Sequence, residues 1–165
     1  MNWSRKSRMT NLWDRRALLS WREELRKTGL SLVFTNGCFD LLHIGHVKQI
    51  REAAQLGDRL VVALNSDDSV TRLKGETRPL VPLEQRAEVM DAIRWVDCVT
   101  AFSEDTPYKL ISMLVPDVIV KGGDYTPDEV VGKDVVEANG GRVVIFPTVP
   151  GSSTTALIER IKRHG

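Results

Sequence analysis

Ser31-Leu32-Val33-Phe34-Thr35-Asn36-Gly37-Cys38-Phe39-Asp40-Leu41-Leu42-His43-Ile44-Gly45-His46 is the stretch that decides the fold. It opens on a short apolar run, turns at Gly37, and leads into a helical pattern. Ile44, Val47, Ile50 and Ala54 mark one face of 44–56, and Gly57 closes it. Similar apolar runs recur at 59–64, 96–101, 117–120 and 142–146. Most are rich in Val and Ile and nearly continuous, which is how strands look when both faces are covered, as in parallel sheets. Helical patterns lie between and around them. Trp13 to Lys27 carries Leu18, Trp21 and Leu25 on one face, with Gly29 after it; 83–94 opens at Pro82; 108–114 and 134–139 are shorter. Leu157, Ile158 and Ile161 mark a last helix after Ser152-Ser153-Thr154-Thr155. Strands alternating with helices predict an α/β fold, a doubly wound, Rossmann-like five-stranded parallel sheet in a single domain.

Composition agrees. Of 165 residues, 42% are hydrophobic and 27% charged, values of soluble globular domains that exclude disorder and low complexity. The net charge of +1 argues against general nucleic-acid binding, which needs a large basic field. No apolar run is long enough to cross a membrane. Cys38 and Cys98 form no CxxC and no metal-ligand spacing, and the N-terminus lacks the apolar core of a secretion signal, so a reducing cytoplasm is expected. Residues 1–28 carry a net +5, leaving −4 on 29–165. They read as a basic tail and a solvated leading helix ahead of the domain at 29–165. Trp3, Trp13, Trp21 and Trp95 read as packing or interface residues, with Trp13 and Trp21 able to cover a dimer surface.

Ligands of open α/β sheets sit outside the carboxyl ends of the strands. The first such turn here is not GxGxxG, which disfavours a dinucleotide oxidoreductase. Instead His43 and His46, three apart at a helix start, share a face. That end of a helix presents unpaired N–H groups and a partial positive charge, and so favours anions. Gly37 permits close backbone approach, and Gly45 leaves room beside the histidines. Zinc is disfavoured, because no further His or Cys is placed to complete a tetrahedral site; no metal ligand set is expected.

The run Gly37-Cys38-Phe39-Asp40-Leu41-Leu42-His43-Ile44-Gly45-His46 resembles the GxFDxxHxGH signature of the cytidylyltransferase-like nucleotidyltransferases. Three further segments resemble that family in order: Arg72-Leu73-Lys74-Gly75 with Arg78-Pro79 and Glu84-Gln85-Arg86, a lysine-bearing loop and ERR-type helix; Val120-Lys121-Gly122-Gly123-Asp124-Tyr125; and Gly151-Ser152-Ser153-Thr154-Thr155. The likeness runs from about Leu32 to Ile161, and its details are most similar to the heptose 1-phosphate adenylyltransferase branch, which makes ADP-heptose for bacterial lipopolysaccharide or surface glycans. One departure stands out. Family members commonly carry RTxGxSTT, whereas Val149 and Pro150 hold the two leading positions here. The missing arginine leaves one phosphate charge for Lys74, Arg78 or Lys121.

The resemblance implies an HxGH-type enzyme that joins ATP to D-glycero-β-D-manno-heptose 1-phosphate, releasing pyrophosphate. Its nucleophile, a phosphate monoester, is mostly dianionic at pH 7, so no general base is needed. What remains is to hold two polyanions in line and stabilise charge at the α-phosphate. His43, His46 and Lys74 are the expected catalytic residues, with the histidines favoured in protonated form beside an anion. Asn36, Gly37, Cys38, Phe39, Gly45, Arg86, Lys121, Gly123, Asp124, Ser152, Ser153, Thr154 and Thr155 are expected at the nucleotide, and Asp40, Lys74 and Arg78 at the acceptor. Asp40 is also placed to cap a helix or orient a basic group. Cys38 reads as a small packed residue rather than a nucleophile. Mg²⁺ is expected on the ATP phosphates rather than in a protein cage. The partners expected are the two small-molecule substrates and a second copy of the chain in a homodimer or higher homo-oligomer. Two other functions fit the residues: a cytidylyltransferase with a different phosphorylated acceptor, and a nucleotide-binding regulatory module without turnover.

Overall fold

The computed structural model describes residues 12–149, 151 and 153–164. Five strands, β1 (Leu32–Gly37), β2 (Arg59–Asn65), β3 (Cys98–Phe102), β4 (Val118–Gly122) and β5 (Arg142–Phe146), form one parallel sheet in the order β3-β2-β1-β4-β5. Among the described residues seven helices accompany them: α1 (Arg15–Lys27), α2 (Ile44–Ala53), α3 (Asp67–Lys74), α4 (Leu83–Asp91), α5 (Tyr108–Leu114), α6 (Lys133–Ala138) and α7 (Thr154–His164). A 3-10 turn spans Pro127–Glu129. Among the described residues no helix is long and apolar enough to cross a membrane.

The strand runs are apolar on both sides because both sides are covered. Leu32 and Phe34 of β1 enter one core with Leu18, Trp21, Leu110 and Leu114; Val33 enters the other with Ile50, Ala53 and Met90. Period-two alternation thus splits one strand between two cores. At the amino edge of the sheet, aspartates take up strand amides that have no ladder partner: Asp58 accepts from Ser31 N (2.8 Å), Asp97 from Leu60 N (2.9 Å) and Asp117 from Leu32 N (2.6 Å).

The leading segment differs from a solvated helix. Asp14 caps α1, accepting from Ala17 N at 2.8 Å, so the helix starts at Arg15. Trp13 lies outside it, bridged to Thr100 beside β3 through Trp13 N to Val99 O (2.8 Å). Trp13 and Trp21 pack together in the core, their ring centroids 5.4 Å apart, and so are not available to cover a dimer surface. Arg22 is only 4% exposed; it donates to Leu114 O and Val115 O and pairs with Asp117 at 2.9 Å. The more basic residues Arg5, Lys6 and Arg8, with Trp3, lie outside the described residues.

Two further boundaries moved. The third strand starts at Cys98 rather than Val96, because Asp97 is used to hold Leu60 N. Residues 72–74, expected in a lysine-bearing loop, are the end of α3: Ser66 accepts from Ser69 N, and Asp67 and Asp68 occupy the first turn, where the helix dipole favours them.

Candidate active site

The chain runs from β1 outward to β3 and then returns to the other side of β1 for β4, which places a switch point between β1 and β4. A cleft of about 580 Å³ lies there, lined by the carboxyl ends of these strands and by the starts of α2 and α7.

His43 and His46 both line it. Their rings stack, with centroids 3.8 Å apart and planes 25° apart, and Phe39 packs on His46 at 5.1 Å. His43 is the cap of α2: its Nδ1 accepts from Gly45 N at 3.2 Å. A nitrogen that accepts a hydrogen bond carries no proton, so the ring hydrogen of neutral His43 sits on Nε2. His46 Nδ1 is buried without a hydrogen-bond partner. Burial, followed by the neighbouring His43, pushes the His46 imidazole down to about 4, and burial lowers His43 as well. Without an anion beside it, burial thus favours the neutral form of the pair. Neutral imidazoles still donate through one N–H each. The same hydrogen bond occupies the Gly45 amide that was expected near phosphate.

The turn before the histidines is tightly specified. Phe39 has φ +44°, in the left-handed region that is uncommon for a residue with a side chain. Gly37 leaves the space: a Cβ there would lie 3.0 Å from the Phe39 ring. Gly37 thus accommodates the Phe39 ring while it lines the cleft. Arg86, fully buried, fixes the turn from below. Its Nη1 donates to Cys38 O (2.6 Å), its Nε to Val81 O (2.9 Å) and its Nη2 to Asp67 Oδ1 (2.6 Å). It does not line the cleft, so the expected nucleotide contact gives way to a buttress under Cys38.

Asp40 is likewise consumed. Its carboxylate accepts from Leu80 N (2.9 Å), Val81 N (2.8 Å) and Arg78 Nε (2.5 Å). Burial alone would raise its pKa, but those two backbone amides and the Arg78 guanidinium hold it below the usual carboxylate range. Asp40 therefore anchors the 78–81 segment and aims Arg78 from the cleft wall. Arg78 and Lys74 line the cleft on the β2 side, Lys74 as the last residue of α3. From β4, Lys121 reaches the cleft and donates to Asn36 Oδ1 at 3.4 Å. Burial, with added repulsion from Lys74, lowers its ammonium pKa. Burial likewise raises the Cys38 thiol against the nearby cations Lys74, Arg86 and Arg78, as suits a packed thiol rather than an activated one.

At the far wall, Ser153, Thr154 and Thr155 open α7. Ser153 Oγ accepts from Ala156 N at 3.0 Å, and Thr154 Oγ1 donates to Leu41 O at 3.3 Å. Two helix starts thus face one cleft ringed by Lys74, Arg78 and Lys121, a constellation suited to polyphosphate.

Residues 34–160 match the model of the Cytidylyltransferase-like family. The chain belongs to that family and is a nucleotidyltransferase. It is 55% identical over 147 residues to the bifunctional protein HldE of Syntrophotalea carbinolica, covering 89% of this chain and 30% of that protein. It is 59% identical over 134 residues to the bifunctional protein HldE of Geotalea uraniireducens, covering 81% and 27%. The nucleotidyltransferase thus spans under a third of the length of these curated relatives. Among solved structures it resembles a lipopolysaccharide core biosynthesis protein from Thermoplasma volcanium (TM-score 0.60, 30% identity, 73% of this chain and 98% of that one). It also shares its fold with pantoate-β-alanine ligase from Francisella tularensis (TM-score 0.63, 18% identity, 85% of this chain and 67% of that one).

Of the other expected site residues of this nucleotidyltransferase, Asn36, Gly37, Cys38 and Phe39 line the cleft, and Gly123 and Asp124 are not among its lining residues. Asp124 is exposed and accepts from Thr148 Oγ1 at 3.4 Å. Ser152, with Pro150, lies outside the described residues. Sequence reasoning missed Gln49, Asn65 and Tyr125, all on the cleft wall. Gln49 is buried and donates to Thr35 Oγ1 at 3.1 Å; a Cβ on Gly122 would lie 2.2 Å from its Oε1. Its place one helical turn after His46 was the available signal. Asn65, at the end of β2, donates to Ser69 Oγ at 3.0 Å, and strand-end polarity could have flagged it.

Proposed function

We propose that the chain transfers AMP from ATP to D-glycero-β-D-manno-heptose 1-phosphate, giving ADP-heptose and pyrophosphate in the cytoplasm. One observation carries the reading: a stacked histidine pair at the start of α2 shares a single cleft with Lys74, Arg78 and Lys121. An acceptor phosphate oxygen attacks the α-phosphorus, a new P–O bond forms, and the bond to the β-phosphate oxygen breaks. Pyrophosphate leaves with its charge. The acceptor is already dianionic, so the chain's residues position and neutralise rather than remove a proton. His43 donates through Nε2, His46 through its ring N–H, and the three cations absorb the phosphate charge that a leading arginine before Ser152 would otherwise meet.

The heptose acceptor is supported by the 72–86, 120–125 and 151–155 segments and by the 52–59% identity to HldE proteins. The name of the Thermoplasma volcanium neighbour points the same way. Among the described residues no group of three or more His, Cys, Asp or Glu could hold a metal ion, and Asp40 is fully engaged. These residues do not fit a protein-borne Mg²⁺ site; Mg²⁺ belongs to this proposal only as a companion of the ATP phosphates, and no step is assigned to it.

The test is pyrophosphate release with ATP or CTP, each paired with D-glycero-β-D-manno-heptose 1-phosphate or glycerol 3-phosphate. Release with ATP and the heptose is expected. Release only with CTP would overturn the adenylyl assignment. Tight ATP binding with no release from any sugar phosphate would favour a regulatory module.

A further inference from the structure

The cleft wall carries the histidine pair with Lys74, Arg78 and Lys121. The segment that follows β4 adds Tyr125, Glu129, Val130 and Val131 to that wall. Glu129 is ionised and fixed there, because Thr126 N (2.7 Å) and Thr126 Oγ1 (2.9 Å) both donate to its Oε2 and lower its pKa. Such a carboxylate repels phosphate, so the uncharged part of the nucleotide is the part this segment accepts.

Tyr125 is held ready for it. The ring rests against Gly123, where φ is +130° and a Cβ would lie 2.9 Å from the ring. Lys121 Nζ sits 5.5 Å from its centroid, within cation–π range. The Thr126–Glu129 capping box fixes the turn that follows. Yet 46% of the residue remains exposed at the cleft. A large aromatic ring, propped in place and left uncovered beside two valines, is a surface for another flat ring.

We propose that Tyr125 is the stacking surface for the nucleobase. This deepens the nucleotidyl-transfer reading and rests on it. Base–aromatic stacking is worth about 1–3 kcal/mol, which is roughly a 5- to 150-fold change in affinity.

The test compares wild type, Tyr125→Ala and Tyr125→Phe by calorimetric titration with ATP and with inorganic tripolyphosphate, which carries the charge and no base. Tyr125→Ala is expected to weaken ATP by that factor and to move tripolyphosphate less than about twofold; Tyr125→Phe restores the ATP affinity. In steady state, KM for ATP rises in Tyr125→Ala while KM for the heptose phosphate holds. An equal loss for tripolyphosphate would show that the ring only supports the turn and Lys121, and would overturn the proposal. So would an unchanged ATP affinity, or a rise confined to KM for the sugar phosphate. If wild type binds CTP and not ATP, the adenylyl reading fails alone, and the stack is then upheld or refuted by the same variant comparison with CTP. Wild type that binds neither nucleotide overturns both.

Discussion

Replacing Arg86 with methionine separates a buttress from a ligand. The side chain keeps an unbranched apolar stem and loses the guanidinium, with its charge and its donors. Two of the three acceptors it abandons, Cys38 O and Val81 O, sit under the site turn, where water cannot readily replace a guanidinium; the third, Asp67, is 45% exposed and can rehydrate. An unsatisfied interior carbonyl costs about 1–3 kcal/mol. Two of them give a loss of about 2–5 kcal/mol once partial relaxation is allowed. For a domain of this size each kcal/mol lowers the melting midpoint by about 2–4 °C, so Arg86→Met should melt about 5–20 °C below wild type. Thermal and urea melts measure this, and an unchanged urea slope would show that the loss is one of stability rather than of compactness. Assayed below its transition, the variant should keep ATP binding within about tenfold, the reach of one displaced turn contact. A midpoint within about 2 °C of wild type, together with a hundredfold loss of ATP affinity, would place the guanidinium on phosphate and refute the reasoning.

Three more outcomes follow from the same geometry. Gly122→Ala would drive a Cβ to 2.2 Å from Gln49 Oε1, so Gln49 must leave Thr35; a loss of about 1–3 kcal/mol in urea is expected, and adding Gln49→Ala should recover most of it. His46→Ala should keep its circular dichroism and lose about 10²–10³ in turnover, the usual effect of removing one oriented donor; near-normal turnover would contradict the assignment. Because His46 titrates at about 4 when folded and near 6.5 when unfolded, its contribution to stability is complete above about pH 6.5 and is lost as pH falls towards 4. Melts across that window should show a slope that His46→Gln flattens, and an unchanged slope would mean that the ring is not buried neutral.

The strands were legible because a strand covered on both faces leaves no polar alternation, and 32–35, 59–64 and 142–146 say so in Val, Ile and Leu. The histidine pair was legible because two residues three apart at a helix start need only helical geometry to meet. Helix α3 escaped for the opposite reason. It is eight residues long, and only Ser69 and Val70 are buried, so it has no apolar stripe; its signal was the Ser66 cap followed by Asp67 and Asp68.

The bonding of Arg86 and Asp40 was the least legible part of the site, for a deeper reason. Their types and spacing are those of phosphate-site residues, and what decides their job is which backbone groups the fold brings to them. Asp40 meets Leu80 and Val81, and Arg86 meets Cys38, across separations of about forty residues that no local pattern encodes. In a crowded site a charged side chain acts on substrate only with whatever bonding capacity its neighbours leave. Asp40 and Arg86 have spent theirs on holding the Cys38–Asp40 turn and the 78–81 segment together. Arg78 is the intermediate case, with Nε on Asp40 and the rest of its guanidinium at the cleft. Lys74 and Lys121 extend into the same cleft, and there the charge remains for the phosphates. Selection of substrate-facing cations in this fold thus runs through the buried carboxylate and the carbonyls behind them, and changing Asp40 should misdirect Arg78.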